Sequence, residues 1–159
     1  MRTAPFADRF DRVREQMGAV GVDTLLLSVG PDLPYLTGYE AMPLERLTML
    51  VVPAGDEATL VVPRLEAPRV IDRPEFTLRP WGETEDPIAI VSGLVGATGR
   101  LAIGDRTWAR FVIDLHAVLP RVTWHKASHV LGPLRARKDA AEVEALRAAG
   151  AAADRVALA

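Results

Sequence analysis

The segment Tyr39-Glu40-Ala41-Met42-Pro43-Leu44-Glu45-Arg46 holds the side chains best suited to meeting a ligand. Arg46 can fork two N–H donors onto a carboxylate. Tyr39 and Glu40 stand at the other end of the segment. Together they read as the rim of a binding opening, with Trp81 a further aromatic candidate because it follows a possible edge strand. The opposing reading is that Tyr39 packs and Arg46 is solvated or paired with Glu45. The length of the connection favours a role, since the next strand does not begin until Leu47 and long connections inside a compact domain tend to be functional.

Other residues invite chemistry and lose it on inspection. His125 and His129 are four apart, but Trp124-His125 reads as a strand end and a helix starts near Ser128, so the two rings do not converge. His116 sits on the exposed flank of its helix. Asp23, Asp86 and Asp105 each lie at an element boundary, where an aspartate accepts backbone hydrogen bonds. Gly93, Gly96 and Gly99 close a helix instead of following a strand, so they form no dinucleotide fingerprint. Trp108 and Trp124 read as core.

The elements that must position the rim are legible from periodicity. Phe6, Phe10, Val13, Met17 and Val20 form one stripe of a first helix, with Asp8, Arg9, Arg12 and Glu15 on the wet side and Gly21 as its left-handed stop. Leu25–Val29 reads as a strand buried on both faces. Gly30-Pro31-Asp32-Leu33-Pro34-Tyr35-Leu36-Thr37-Gly38 then reads as a structured loop, because two prolines and two glycines argue against helix. Within it Tyr35, Leu36 and Gly38 are expected to anchor the loop to the sheet. Leu47–Val52 and Thr59–Val62 form an antiparallel hairpin, Arg64–Ile71 is weakly helical, and Phe76–Trp81 is a strand near an edge.

Asp86-Pro87 starts a helix with Ile88, Val91, Leu94 and Val95 inward. Leu101–Gly104 is a core strand. Asp105 or Thr107 caps a helix burying Trp108, Phe111, Val112, Leu115, Val118 and Leu119, and Val122–Trp124 is the last strand. Pro133–Arg137 reads as a break, and Asp139 with Glu142 as a capping box before a helix striped with Val143, Leu146, Ala149, Ala153 and Val156. That helix carries no stop signal, which suggests a longer chain. The alternation predicts an α/β fold, with helices on both faces of a mixed sheet.

Composition sets limits. A chain of 159 residues holds one ordinary domain, and a net charge of −2 gives no basic footprint for nucleic acid. There is no cysteine, no apolar run long enough to span a bilayer and no signal-peptide core. A cytoplasmic protein with no membrane partner is expected.

The sequence resembles the amino-terminal domain of the creatinase/prolidase/aminopeptidase P family, the M24 "pita-bread" metallopeptidases. Three stretches carry the likeness: the opening helix leading to Gly21-Val22-Asp23, the signature Tyr35-Leu36-Thr37-Gly38-Tyr39, and Leu134-Arg135-Ala136-Arg137-Lys138-Asp139 with Glu142-Val143 and Leu146-Arg147. Asp32 stands where the family often has asparagine. The resemblance implies a mixed six-stranded sheet over residues 1–132, followed at 133–159 by the linker and first helix of a catalytic domain. It implies a non-catalytic part of an Xaa-Pro dipeptidase or aminopeptidase, contributing subunit contacts in a homodimer and a wall of the entrance for short proline-containing peptides. An arginine from about the position of Arg46 reaches a substrate in creatinase-like members. The family's two divalent metal ions (manganese, cobalt or zinc) are held by the missing carboxyl-terminal domain, so no cofactor is expected here. Two alternatives share the fold: a peptide-binding or scaffolding module, as in a histone-chaperone subunit, and the amino-terminal domain of a creatinase-like amidinohydrolase.

Overall fold

A computed structural model describes residues 5–157. Helix α1 (Pro5–Val20) leads into β1 (Thr24–Leu27), then α2 (Asp32–Thr37), β2 (Met49–Pro53), β3 (Ala58–Pro63), a 3-10 turn at Ala67–Arg69 and β4 (Phe76–Trp81). The second half alternates α3 (Pro87–Leu94), β5 (Gly99–Ile103), α4 (Ala109–Val118), β6 (Val122–Lys126), α5 (Ser128–Ala136) and α6 (Ala140–Ala157). The six strands form one mixed sheet in the order β4-β3-β2-β1-β5-β6. β1 runs antiparallel to β2 and parallel to β5, so it joins an amino-terminal half to a parallel half.

Side chains alternate across each strand. Leu25 and Leu27, Leu50 and Val52, and Leu60 and Val62 face a core covered by α1, α2 and α5. Leu26, Met49, Val51 and Val61 face the opposite core, under α3 and α4. Helices therefore lie on both faces, which is why β1 reads as an unbroken apolar run. β4 is an edge strand, and the edge position accommodates Pro80, which has no N–H to give to a second neighbour.

Several local expectations are corrected. The loop after β1 contains a helix: Pro34 is its third residue, where an N–H needs no partner in the helix, so the proline costs nothing there. Gly38 ends it at φ 70°, donating its N–H to the Pro34 carbonyl at 2.8 Å. Asp32 is the first residue of α2, makes no cap and pairs with Arg135. The break at Pro133 lies inside α5, which continues to Ala136 because Val130 and Leu131 are buried and Leu134 packs against the same core. Neither Asp105 nor Thr107 caps α4. Its N-cap is Trp108, which is 42% exposed and stacked on Phe111. Asp105 accepts instead from the Ser128 N–H, at the start of α5. Val20, Leu94 and Val118 are exposed, each lying toward the end of its helix.

Arg9 also departs from the wet side of α1. Its side chain is 15% exposed and lies 4.4 Å from the Tyr35 ring centre. Arg9 donates to the Tyr35 carbonyl at 2.9 Å and to Asp139 at 3.0 Å. The capping box at α6 is complete: Asp139 N–H donates to Glu142, and Glu142 N–H donates to the Asp139 carboxylate at 2.8 Å. The Glu142 N–H, and after it the Arg9 guanidinium, hold the Asp139 carboxyl below its ordinary 3.8. A depressed carboxyl stabilises the junction above that ordinary value and loses its contribution as pH falls through the lower folded one. Carbon NMR of the Asp139 carboxyl is expected to show a midpoint below 3.8 that moves upward in Arg9→Gln. An unmoved midpoint would detach Arg9 from the junction.

Candidate functional site

The rim segment is a coil of eight residues between α2 and β2, held at both ends. At its start, the Thr37 hydroxyl donates to the Leu33 carbonyl and accepts the Tyr39 N–H at 3.0 Å. Arg73 donates to the Thr37 carbonyl from above, with its guanidinium 3.8 Å from the Phe6 ring centre. A Cβ built on Gly38 would stand 3.0 Å from Phe6, so glycine serves both the left-handed turn and this close approach. Tyr35 and Leu36 are buried, and Leu36 has no exposed surface.

The four candidates occupy different environments. Tyr39 is buried, and its hydroxyl donates to Glu66 at 3.0 Å. Glu40 is exposed. Arg46 pairs with Glu83 and lies 3.9 Å from Glu45. The Glu83 side chain is 70% exposed, so this is a surface pair of about 0–1 kcal/mol that a ligand carboxylate can displace. Trp81 is buried, with Nε1 donating to the Leu47 carbonyl at 2.9 Å. It is therefore a buried support beneath the segment where Arg46 emerges. Of the four, Tyr39 and Arg46 border a cavity of about 200 Å3, together with Met42, Leu44 and Leu65, whereas Glu40 and Trp81 do not line it. Sequence reasoning missed Leu65 and Glu66. The only signal available was an exposed leucine beside a glutamate in a weakly helical stretch.

Burial, then the bond to Glu66, pushes the Tyr39 phenol up to about 12. Burial also raises Tyr35 from the ordinary 10.0, against the opposing Arg12 and Arg9 charges. These are the only two tyrosines in the chain. Spectrophotometric titration is thus expected to show no phenolate step centred at the ordinary value, and a step near 12 that disappears in Tyr39→Phe. A raised acid stabilises the fold in its neutral form, so this contribution is intact below 10 and lost as pH rises through about 12.

The remaining candidates do not assemble. His125 lies on β6 with Nε2 buried and unpartnered, while His129 lies exposed on α5. His116 is exposed and stacks on Trp124. No group of three or more histidine or carboxylate side chains able to hold a metal ion occurs among the described residues. Asp86 caps α3, accepting the Ile88 N–H, and Asp23 accepts the Arg100 N–H. No described helix is long and apolar enough to cross a membrane.

Comparison with known proteins gives this arrangement a lineage. Residues 9–137 match the Creatinase/Prolidase N-terminal domain. The chain belongs to that family. It is 40% identical over 144 residues to the probable dipeptidase PepE of Mycobacterium tuberculosis, an alignment spanning 86% of this chain and 37% of that protein. The crystal structure of dipeptidase PepE from Mycobacterium ulcerans superposes with a TM-score of 0.84 at 36% identity, covering 99% of this chain and 44% of that one. A dipeptidase from Pyrococcus horikoshii superposes at 0.76 with 30% identity, covering 86% and 38%. This Creatinase/Prolidase N-terminal domain therefore spans less than half the length of these relatives. Its match is to the amino-terminal domain of dipeptidase and prolidase proteins.

Proposed function

We propose that this chain is the non-catalytic amino-terminal part of a cytoplasmic Xaa-Pro dipeptidase or aminopeptidase. It walls the substrate entrance and supplies subunit contacts in a homodimer. The wall runs to the end of α5 at Ala136, past the expected boundary at 132, and α6 begins the catalytic domain that holds two divalent metal ions, manganese, cobalt or zinc. Tyr39, Glu40 and Arg46 mark the rim, supported from beneath by the buried Trp81, with Arg46 receiving the carboxylate of a short proline-containing peptide. Tyr35, Leu36 and Gly38 brace that rim from below. The absence of cysteine supports a reducing compartment.

The observation that carries this reading is helix α6. It has 18 residues and none of them is buried, yet its sequence carries an apolar stripe in which Leu146 is 59% and Val156 80% exposed. A stripe of that kind on a capped, pinned helix suits a surface that a further domain covers.

The test is hydrolysis of Ala-Pro and Gly-Pro in added manganese. The complete reading frame is expected to cleave them and the 159-residue chain to be inert. Cleavage by the isolated chain overturns the proposal. In the complete protein, Arg46→Ala is expected to raise KM about tenfold with unfolding unchanged, the behaviour of a lost binding contact.

A further inference from the structure

A second concave site lies away from the rim, at the carboxyl ends of the parallel strands. β1 and β5 are parallel neighbours, but their exits diverge. β1 leads to α2, whose Leu33 and Leu36 pack into one core, and β5 leads to α4, whose Phe111 and Leu115 pack into the other. Neighbouring parallel strands with connections to opposite faces open a crevice where open α/β sheets bind ligands. Here the crevice holds a cavity of about 240 Å3, between the start of α2, the β5–α4 connection and α5.

The lining carries both signs of charge. Asp105 and Arg106 come from the β5–α4 connection, Asp32 from α2, and Ser128 and Arg135 from α5. Asp32 and Arg135 neutralise each other. Asp105 accepts the Ser128 N–H at 3.3 Å and faces no cation within ion-pair distance among the described residues. Arg106 makes no hydrogen bond or ion pair with the other described residues, and its stem lies along Gly30. One anion and one cation, both solvent-exposed, thus stand side by side with no side-chain ion pair among the described residues. A contiguous smaller hollow shares Asp32 and Arg106 and is bounded by Thr107, whose hydroxyl is buried with no partner in the protein. Leu131 borders the cavity but is 1% exposed and packs into the core under α1, α2 and α5, while Gly132 leaves its side of the cavity open, with nothing within 4 Å of where a Cβ would stand.

We propose that this cavity binds a free α-amino acid, its carboxylate on Arg106 and its ammonium on Asp105, with its side chain toward the open side at Gly132. A zwitterion engages both Arg106 and Asp105, whereas a plain anion or a plain cation engages one and is opposed by the other. The volume of about 240 Å3 suits a single amino acid.

The test is amide NMR of the 159-residue chain titrated with L-valine, acetate and methylammonium, each to about 20 mM, where a millimolar site saturates. Valine is expected to shift the Asp105, Arg106, Ser128 and His129 amides saturably, with acetate and methylammonium at least tenfold weaker. Arg106→Gln and Asp105→Asn are expected to weaken valine at least tenfold, Asp105→Asn keeping the acceptor for Ser128. Gly132→Leu fills the cavity from an open helix position and is expected to abolish the shifts with the melting temperature held or raised. No saturable shift, acetate binding as tightly as valine, or undiminished binding in folded Gly132→Leu each overturns the proposal.

Discussion

Trp81→Ala is expected to lower the unfolding free energy by about 3–5 kcal/mol, a large share of the roughly 5–15 kcal/mol available to a domain. Two losses add. The indole leaves a hole against Met49, Val61 and Val91 in the core beneath α3 and α4, and the Leu47 carbonyl loses its N–H donor. Trp81→Phe separates them, keeping most of the apolar body and costing about 1–3 kcal/mol for the unpartnered carbonyl. Urea unfolding followed by circular dichroism measures both. A cost below about 1 kcal/mol for the alanine variant would mean that the ring lies at the surface. The result bears on the rim, because Leu47 directly follows Arg46. Trp81 would affect a substrate only by holding the segment from which Arg46 extends.

Leu36→Ala is expected to cost about 2–5 kcal/mol in the same assay. Leu36 has no exposed surface and lies in the core shared by α1, α2 and α5. α2 has only six residues, too few to persist without that packing. Its loss should therefore also loosen the turn at Gly38 and raise amide exchange at Tyr39, whose N–H is held by Thr37. Leu36→Met, which conserves volume, is expected to cost under about 1.5 kcal/mol. Equal effects from the two variants would show that volume at this position does not matter.

The sheet was legible because its signals are local and periodic. The apolar run around Leu26, the turn Ala54–Glu57 between two alternating stretches, and Asp86-Pro87 each name their element without knowledge of the rest. What escaped were features set by distant partners. α2 looked like a loop because Pro34 is read as a breaker unless its position in the first turn is known. Pro133 misled in the same way, since burial of Leu131 and the reach of Arg135 to Asp32 carry α5 past it. Arg9 was assigned to solvent from its place on the helical wheel, yet its partner lies 130 residues away and no periodicity reports that. The site fared similarly. The loop stood out by length, but the Tyr39–Glu66 bond and the Trp81–Leu47 bond join residues that sequence spacing does not associate.

The Arg9 contact has a consequence for the order in which the protein is made. At the roughly 5–20 residues per second of synthesis, the stretch between Arg9 and Asp139 takes the ribosome about 7–26 s. β2 reaches β1 early, whereas β5 and then Asp139 emerge late. The junction before α6 is thus fastened by a side chain made about 130 residues earlier. The helix that follows Asp139 sets out from a foundation whose bolt closes only as it emerges.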